Sequence, residues 1–166
     1  MTDRLPITLA VNGRSYDLEV EPRRTLADTL RDGCGLTGTH CGCEHGVCGT
    51  CTVLVNGAPV RSCLMFAIQA QGAEIRTVES LSSPDTIHPL QQAFMDKHAL
   101  QCGYCTPGFL MLTIGLMEQN PQISDAELQD HLSSNLCRCT GYQNIIRGVL
   151  AYARDQRTAM EGNHGA

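Results

Sequence analysis

The sequence predicts an α+β chain in two parts, a small mixed sheet packed by one helix and then a domain of four helices. Three observations carry this. Over residues 1–80, short alternating strands are joined by Asn12-Gly13 and Asn56-Gly57, strong hairpin turns, with little helical pattern between them. Ser80-Leu81-Ser82-Ser83-Pro84 is polar and proline-broken, which marks a linker. Beyond it, apolar residues recur at helical spacing. The expected boundaries are a first domain over residues 1–80, a linker over 81–85, a helical domain over 86–157 and a flexible tail over 158–166.

In order, Ile7 to Val11 alternates as a strand and Ser15 to Val20 returns as its partner, ended by Pro22. Thr25 can cap a helix that holds Leu26, Ala27, Thr29 and Leu30 and stops at Gly33 or Gly35. A cysteine-rich loop follows. Cys51 to Val55 and Val60 to Ser62 flank the second Asn-Gly turn as strands. Leu64 to Ala70 reads as a short helix, and Glu74 to Val78 as a last strand. In the second part, Pro89 suits a first helical position, with Leu90, Ala93, Phe94 and Lys97 on one face. Pro107 opens a helix over residues 108–119 that is apolar almost all round, so it should be central and buried. Ser124-Asp125-Ala126-Glu127 is a capping box opening a third helix. Tyr142, Ile145, Ile146, Val149 and Leu150 form one face of a fourth.

Composition narrows the function. With 12 basic and 17 acidic residues the net charge is −5, and no basic stripe appears, so nucleic acid is not an expected partner. No apolar run reaches the roughly 18 residues of a membrane span. Met1-Thr2-Asp3-Arg4-Leu5-Pro6 lacks the apolar core of a secretory signal, so the expected location is cytoplasmic. Ten cysteines in a reducing compartment point to metal rather than disulfides.

Cys43, Cys48 and Cys51 are spaced C-x4-C-x2-C, and Cys63 follows. That is the plant-type spacing for a [2Fe–2S] cluster held by four thiolates. Structural zinc prefers two separate C-x2–4-C knuckles, which three thiols in one loop do not supply. Gly42, Gly46 and Gly49 let backbone N–H groups approach cluster sulfurs. A second set, Cys102, Cys105, Cys137 and Cys139, reads C-x2-C…C-x-C. By ligand count it suits zinc or iron–sulfur, although C-x-C is tight for a tetrahedral zinc knuckle. The two loops carrying it lie between helices one and two and between three and four, so they can meet at one end of a bundle. Cys34 is expected as a small core residue. Cys41 is expected as a non-ligand, because using it would break the standard spacing. His40 and His45 raise a Rieske-type option that four well-spaced cysteines already fill. No nucleophilic triad, paired-carboxylate site or G-x-G-x-x-G occurs, so the chain has no catalytic residues of its own.

Three segments together resemble the iron–sulfur subunit of the molybdenum hydroxylases, the xanthine oxidase family: Thr37-Gly38-Thr39-His40 running on to Cys51, Gln101 to Gly108, and Asn135 to Tyr142. Length and motif order are similar to the separately encoded small subunits of bacterial three-subunit enzymes, such as carbon monoxide dehydrogenase or quinoline oxidoreductase. The resemblance implies a plant-type ferredoxin-like β-grasp domain carrying the first [2Fe–2S] cluster near the FAD of a medium subunit. It implies a helical domain carrying the second cluster near the molybdopterin of a large subunit, with Gln101 and Cys139 beside the pterin. Electrons would run from molybdenum through both clusters to FAD, in a heterotrimer or a dimer of heterotrimers. The sequence departs from the usual pattern at His40, where Lys is common, and at Cys41. An N-heteroaromatic substrate is the expectation for the whole enzyme, with carbon monoxide, aldehyde and xanthine dehydrogenases as alternatives. From other classes, a free-standing two-cluster ferredoxin or redox sensor and a structural zinc protein remain to be separated.

Overall fold

The computed structural model describes residues 3–83 and 85–162; Pro84 of the expected linker and the end of the expected tail lie outside the described residues. Five strands form one mixed sheet in the order β2-β1-β5-β3-β4. These are β1 (Leu5–Val11), β2 (Arg14–Val20), β3 (Thr52–Val55), β4 (Ala58–Arg61) and β5 (Glu74–Arg76). β1–β2 and β3–β4 are antiparallel hairpins, β3–β5 is antiparallel, and β1–β5 is the parallel pair. Both hairpin turns put two successive residues at positive φ, Asn12 and Gly13 at 51° and 73°, Asn56 and Gly57 at 49° and 78°. That is the turn whose twist matches paired strands, and Asn-Gly tolerates it best. The turn asparagines then do a second job. The Asn12 carboxamide brackets Thr77, and Asn56 Oδ1 accepts from Glu74 N at 2.8 Å, so both turns hold β5 in the middle of the sheet.

The helix capped by Thr25 is α1 (Leu26–Asp28), continued by a π-helical turn over Thr29–Gly33. Its Leu26 and Leu30 join Ile7, Leu9, Val11, Val53 and Ile75 in the sheet's core. Cys34 is half-buried against this core, as expected, and burial pushes its thiol up to about 11.

Two sequence expectations need correction here. The helix expected over residues 64–70 is instead two 3-10 turns, Ser62–Leu64 and Ala67–Ala70, split by extended Met65 and Phe66. Leu26 N donates to Met65 O and Ala67 N to Arg24 O, so the segment spends its backbone on the start of α1. The last strand stops at Arg76, because Thr77 N is taken by the Asn12 side chain, and a 3-10 turn, Val78–Leu81, follows.

The expected linker is packed against the helical part. Leu81 is 8% exposed and sits in the helical core, and Ser83 and Thr86 exchange backbone hydrogen bonds. Four further helices follow: α2 (Pro89–Asp96), α3 (Thr106–Gln119), α4 (Asp125–Leu132) and α5 (Gln143–Gly162). His88 caps α2 by accepting from Leu90 N, and burial holds its imidazole below the ordinary histidine value. α3 is apolar all round because it is covered all round. A Cβ on Gly115 would stand 2.6 Å from both Leu54 of β3 and Pro59 of β4, so α3 lies directly on the sheet. The strand underneath, β3, is buried at every position rather than alternating, as a strand covered on both faces should be.

The helix α5 runs through residues 158–162, where a flexible tail was expected. Arg154 and Arg157 explain this. Both pair with Asp125 at the start of α4, and Arg157 also donates to Ile123 O at 2.9 Å. Hydrogen bonding to Arg154 in the first place holds the Asp125 carboxyl below the usual carboxylate range. A depressed folded-state value means stability present above the unfolded pKa and lost as pH falls through the folded one. Asp125→Asn is therefore expected to lower stability by about 1 kcal/mol at pH 7, a thermal midpoint shift of roughly 2–4 °C. The deficit should shrink below pH 4 and at high salt, which thermal unfolding across pH and salt would check.

Candidate metal centres

The loop from Gly42 to Cys51 is shaped by positive-φ residues. Glu44, Gly46 and Gly49 turn it at 59°, 83° and 73°, so several N–H groups point inward. Cys48 N donates to Cys43 Sγ at 3.4 Å. Burial opposes ionisation of Cys43, but N–H groups of His45, Cys48 and Val47 outweigh it and bring its thiol down to about 6. Cys51 and Cys63 lie deeper, 2% and 8% exposed, at the start of β3 and in the turn after β4. Burial, then hydrogen bonding to Cys51, pushes Cys63 up to about 12. The first set thus falls into an outer pair, Cys43 with Cys48, and an inner pair, Cys51 with Cys63.

The second set has the same plan. Cys102 and Cys139 are exposed, and Cys139 Sγ lies 3.5 Å from Cys102 Sγ. The Tyr104 N–H and the Cys139 thiol lower Cys102, while Cys139, as the donor in that contact, is raised. Cys105 and Cys137 are the deeper pair. Burial, then Cys137, pushes Cys105 up to about 12. Cys137 is lowered because the Thr140 hydroxyl, donating at 3.1 Å, and nearby N–H groups overcome its burial. In both pairs of the second set one thiol is lowered and its neighbour raised, so each pair offers a thiolate that a metal can take up.

Among the described residues no three or more His, Cys, Asp or Glu side chains converge as a site for a single ion. Two-plus-two pairing instead suits a two-iron centre, in which each iron takes two protein thiolates. The soft donor set and the inward N–H groups both fit that group. His40 and His45 are outside the thiol pairs: each directs Nδ1 at a carbonyl, that of Tyr104 at 2.8 Å and that of Cys43. Cys41 packs against Ala27, Cys51 and Cys63, and burial followed by the Cys51 charge raises it to about 11. Gln101 is exposed beside Cys102, close in sequence to the outer pair of the second set.

The two thiol sets meet along a seam built from their own loops. Leu136 N, one residue before Cys137, donates to Cys48 O at 2.9 Å. Tyr104, between Cys102 and Cys105, donates its hydroxyl to Cys41 O at 2.7 Å and stacks on His40 with centroids 4.7 Å apart. Arg61 of β4 donates to Ser134 O at 2.9 Å and to Ser134 Oγ at 3.0 Å. Gly108 at the start of α3 touches the Gly49 carbonyl so closely that a Cβ would come within 2.3 Å of it. Sequence reasoning missed Arg61 entirely and gave Asn135 no role, because neither lies in a ligand spacing. The one available signal was that both flank a thiol segment.

A chain with two thiol sets joined by hydrogen bonds between their own loops defines a class, the two-centre iron–sulfur electron carriers. Comparison agrees. A family described as "2Fe-2S iron-sulfur cluster binding domain" matches residues 9–77, and one described as "[2Fe-2S] binding domain" matches residues 77–150. The chain is 55% identical over 149 residues to the nicotine 6-hydroxylase small subunit of Paenarthrobacter nicotinovorans, covering 90% of each. It is 54% identical over 146 residues to caffeine dehydrogenase subunit gamma of Pseudomonas sp. strain CBB1, covering 86% of this chain and 87% of that one. In the crystal structure of quinoline 2-oxidoreductase from Pseudomonas putida 86, the matching chain superposes with a TM-score of 0.87 at 47% identity, over 94% of this chain and 98% of that one. The chain belongs to the small iron–sulfur subunits of the molybdenum hydroxylases. The match to that family's known [2Fe–2S] domains removes the structural-zinc alternative.

Proposed function

We propose that this chain conducts electrons within a molybdenum-dependent hydroxylase, from a molybdopterin centre on a large partner subunit to FAD on a medium one. Cys43, Cys48, Cys51 and Cys63 hold one [2Fe–2S] centre; Cys102, Cys105, Cys137 and Cys139 hold the other. Each centre supplies a one-electron store. The chain's residues hold the two stores close and orient hydrogen-bond donors at the sulfurs. The observation that carries the reading is the seam, where the backbone of Cys48 is hydrogen-bonded to the residue next to Cys137. A conductor needs such a short join between its two stores.

In this reading residues 1–80 form a ferredoxin-like β-grasp domain, which the 2-1-5-3-4 strand order supports, and residues 86–157 form a four-helix domain. Exposed apolar side chains support the partners. Val47, Leu64 and Phe66 lie in or near the first thiol set in sequence, and Leu100, Tyr104 and Leu136 lie near the second, all six exposed. Such patches beside a site mark docking surfaces. The second faces the large subunit, placing Gln101 and Cys139 beside the pterin; the first faces the FAD subunit. Relatives named for nicotine, caffeine and quinoline support an N-heteroaromatic substrate. The ten cysteines support a reducing, cytoplasmic setting, with a heterotrimer or its dimer as the assembly.

Purification from native cells tests this. The expected result is co-elution with molybdenum- and FAD-bearing chains, two [2Fe–2S] clusters per chain and two distinct EPR signals on reduction. Elution of the chain alone with both clusters would instead establish a free-standing ferredoxin.

A further inference from the structure

Asn135 is 1% exposed, and neither its amide nitrogen nor its amide oxygen has a hydrogen-bond partner among the described residues. A buried amide left this way keeps the full desolvation cost of its polar groups. Its backbone is tied into the seam: Asn135 N donates to Leu132 O at 3.1 Å, and Leu136 N donates to Cys48 O. The carboxamide lies across the seam against Gly49, between the ligands Cys48 and Cys51. A Cβ on Gly49 would stand 2.0 Å from Asn135 Oδ1, so only glycine lets this amide in. The nearest strong donor, Arg61, is committed to Ser134 and Thr52. The first centre, when loaded, would place sulfur acceptors in the loop that this amide, with its N–H donors unused, lies against.

We propose that Asn135 donates its Nδ2–H across the seam to a sulfur of the first centre, so that docking of the second ligand loop sets the first centre's reduction potential. Hydrogen bonds to cluster sulfurs stabilise the added negative charge and raise the potential. The chain's end nearer FAD is thereby tuned by a residue from the half nearer molybdenum, and an undocked first domain becomes a poorer acceptor. This rests on the two-centre reading above.

The test is an EPR-monitored redox titration of the purified complex carrying Asn135→Leu, with Asn135→Ala measured should the leucine variant fail to assemble. The expected result is a lower midpoint for the first centre, an unchanged midpoint for the second, and loss of one exchangeable-proton coupling from the first centre's signal in deuterium oxide. Unchanged midpoints with only a lower thermal midpoint would overturn the proposal and leave Asn135 a packing residue. A shift confined to the second centre would overturn it equally. If the unsubstituted complex fails to give two reduced-state signals, the two-centre reading fails before any variant is compared.

Discussion

Cys51→Ser is expected to strip the first centre from the chain, halving its iron and acid-labile sulfide while leaving the second centre's EPR signal intact. Cys51 is 2% exposed and paired with Cys63. Its carbonyl is fixed by Ser62, whose hydroxyl donates to it at 2.7 Å. Serine is nearly the same size, which keeps the packing, but its hydroxyl is a hard, weakly acidic donor where iron–sulfur chemistry needs a soft thiolate. In the assembled enzyme, substrate should still reduce molybdenum while FAD reduction stops, as stopped-flow spectra would show. Loss of the molybdenum-proximal signal with retention of the other would reverse the assignment of the two domains to the two ends of the path.

A second large effect is expected from Gly108→Ala. In a helix this exchange ordinarily gains up to about 1 kcal/mol. Here the added Cβ would meet Gly49 O at 2.3 Å and Thr50 Cα at 3.0 Å, both backbone atoms that cannot rotate aside. Relief requires α3 to move off the first ligand loop, which opens the seam. Overpacking of this kind costs about 3 kcal/mol, a fall in thermal midpoint of roughly 6–12 °C. Gly115→Ala is the control. Its Cβ would meet the tip of the Leu54 side chain and the edge of the Pro59 ring rather than main-chain atoms, so its effect should be smaller. A thermal midpoint for Gly108→Ala equal to that of the unsubstituted chain would show that the two halves are not locked at this point.

Much of the fold was legible because it is written locally. Asn-Gly pairs demand a particular turn, and the Ser124–Glu127 capping box opens a helix wherever it lies. The expectations that needed correction were those decided by distant partners. The helix over residues 64–70 gave way because its N–H groups and carbonyls were claimed by the start of α1. Helix α5 outran its expected end because arginines on its last turns found Asp125, more than 25 residues earlier. The thiol spacings are also local information, since the turns that arrange Cys43, Cys48 and Cys51 lie between them.

By itself, then, the sequence determined the donor set on offer: eight thiols in two spacings, with glycines interleaved in the first. Only the tertiary structure decided how the two sets relate. The join runs through Cys48 O, Leu136 N, Arg61, Gly108 and the buried amide of Asn135, which are separated along the chain by up to 88 residues. Spacing reports what one loop can hold because a loop's reach is set by its own dihedrals. Contact between two loops depends on how α3 seats on β3 and β4, which is settled by the packing of the whole core.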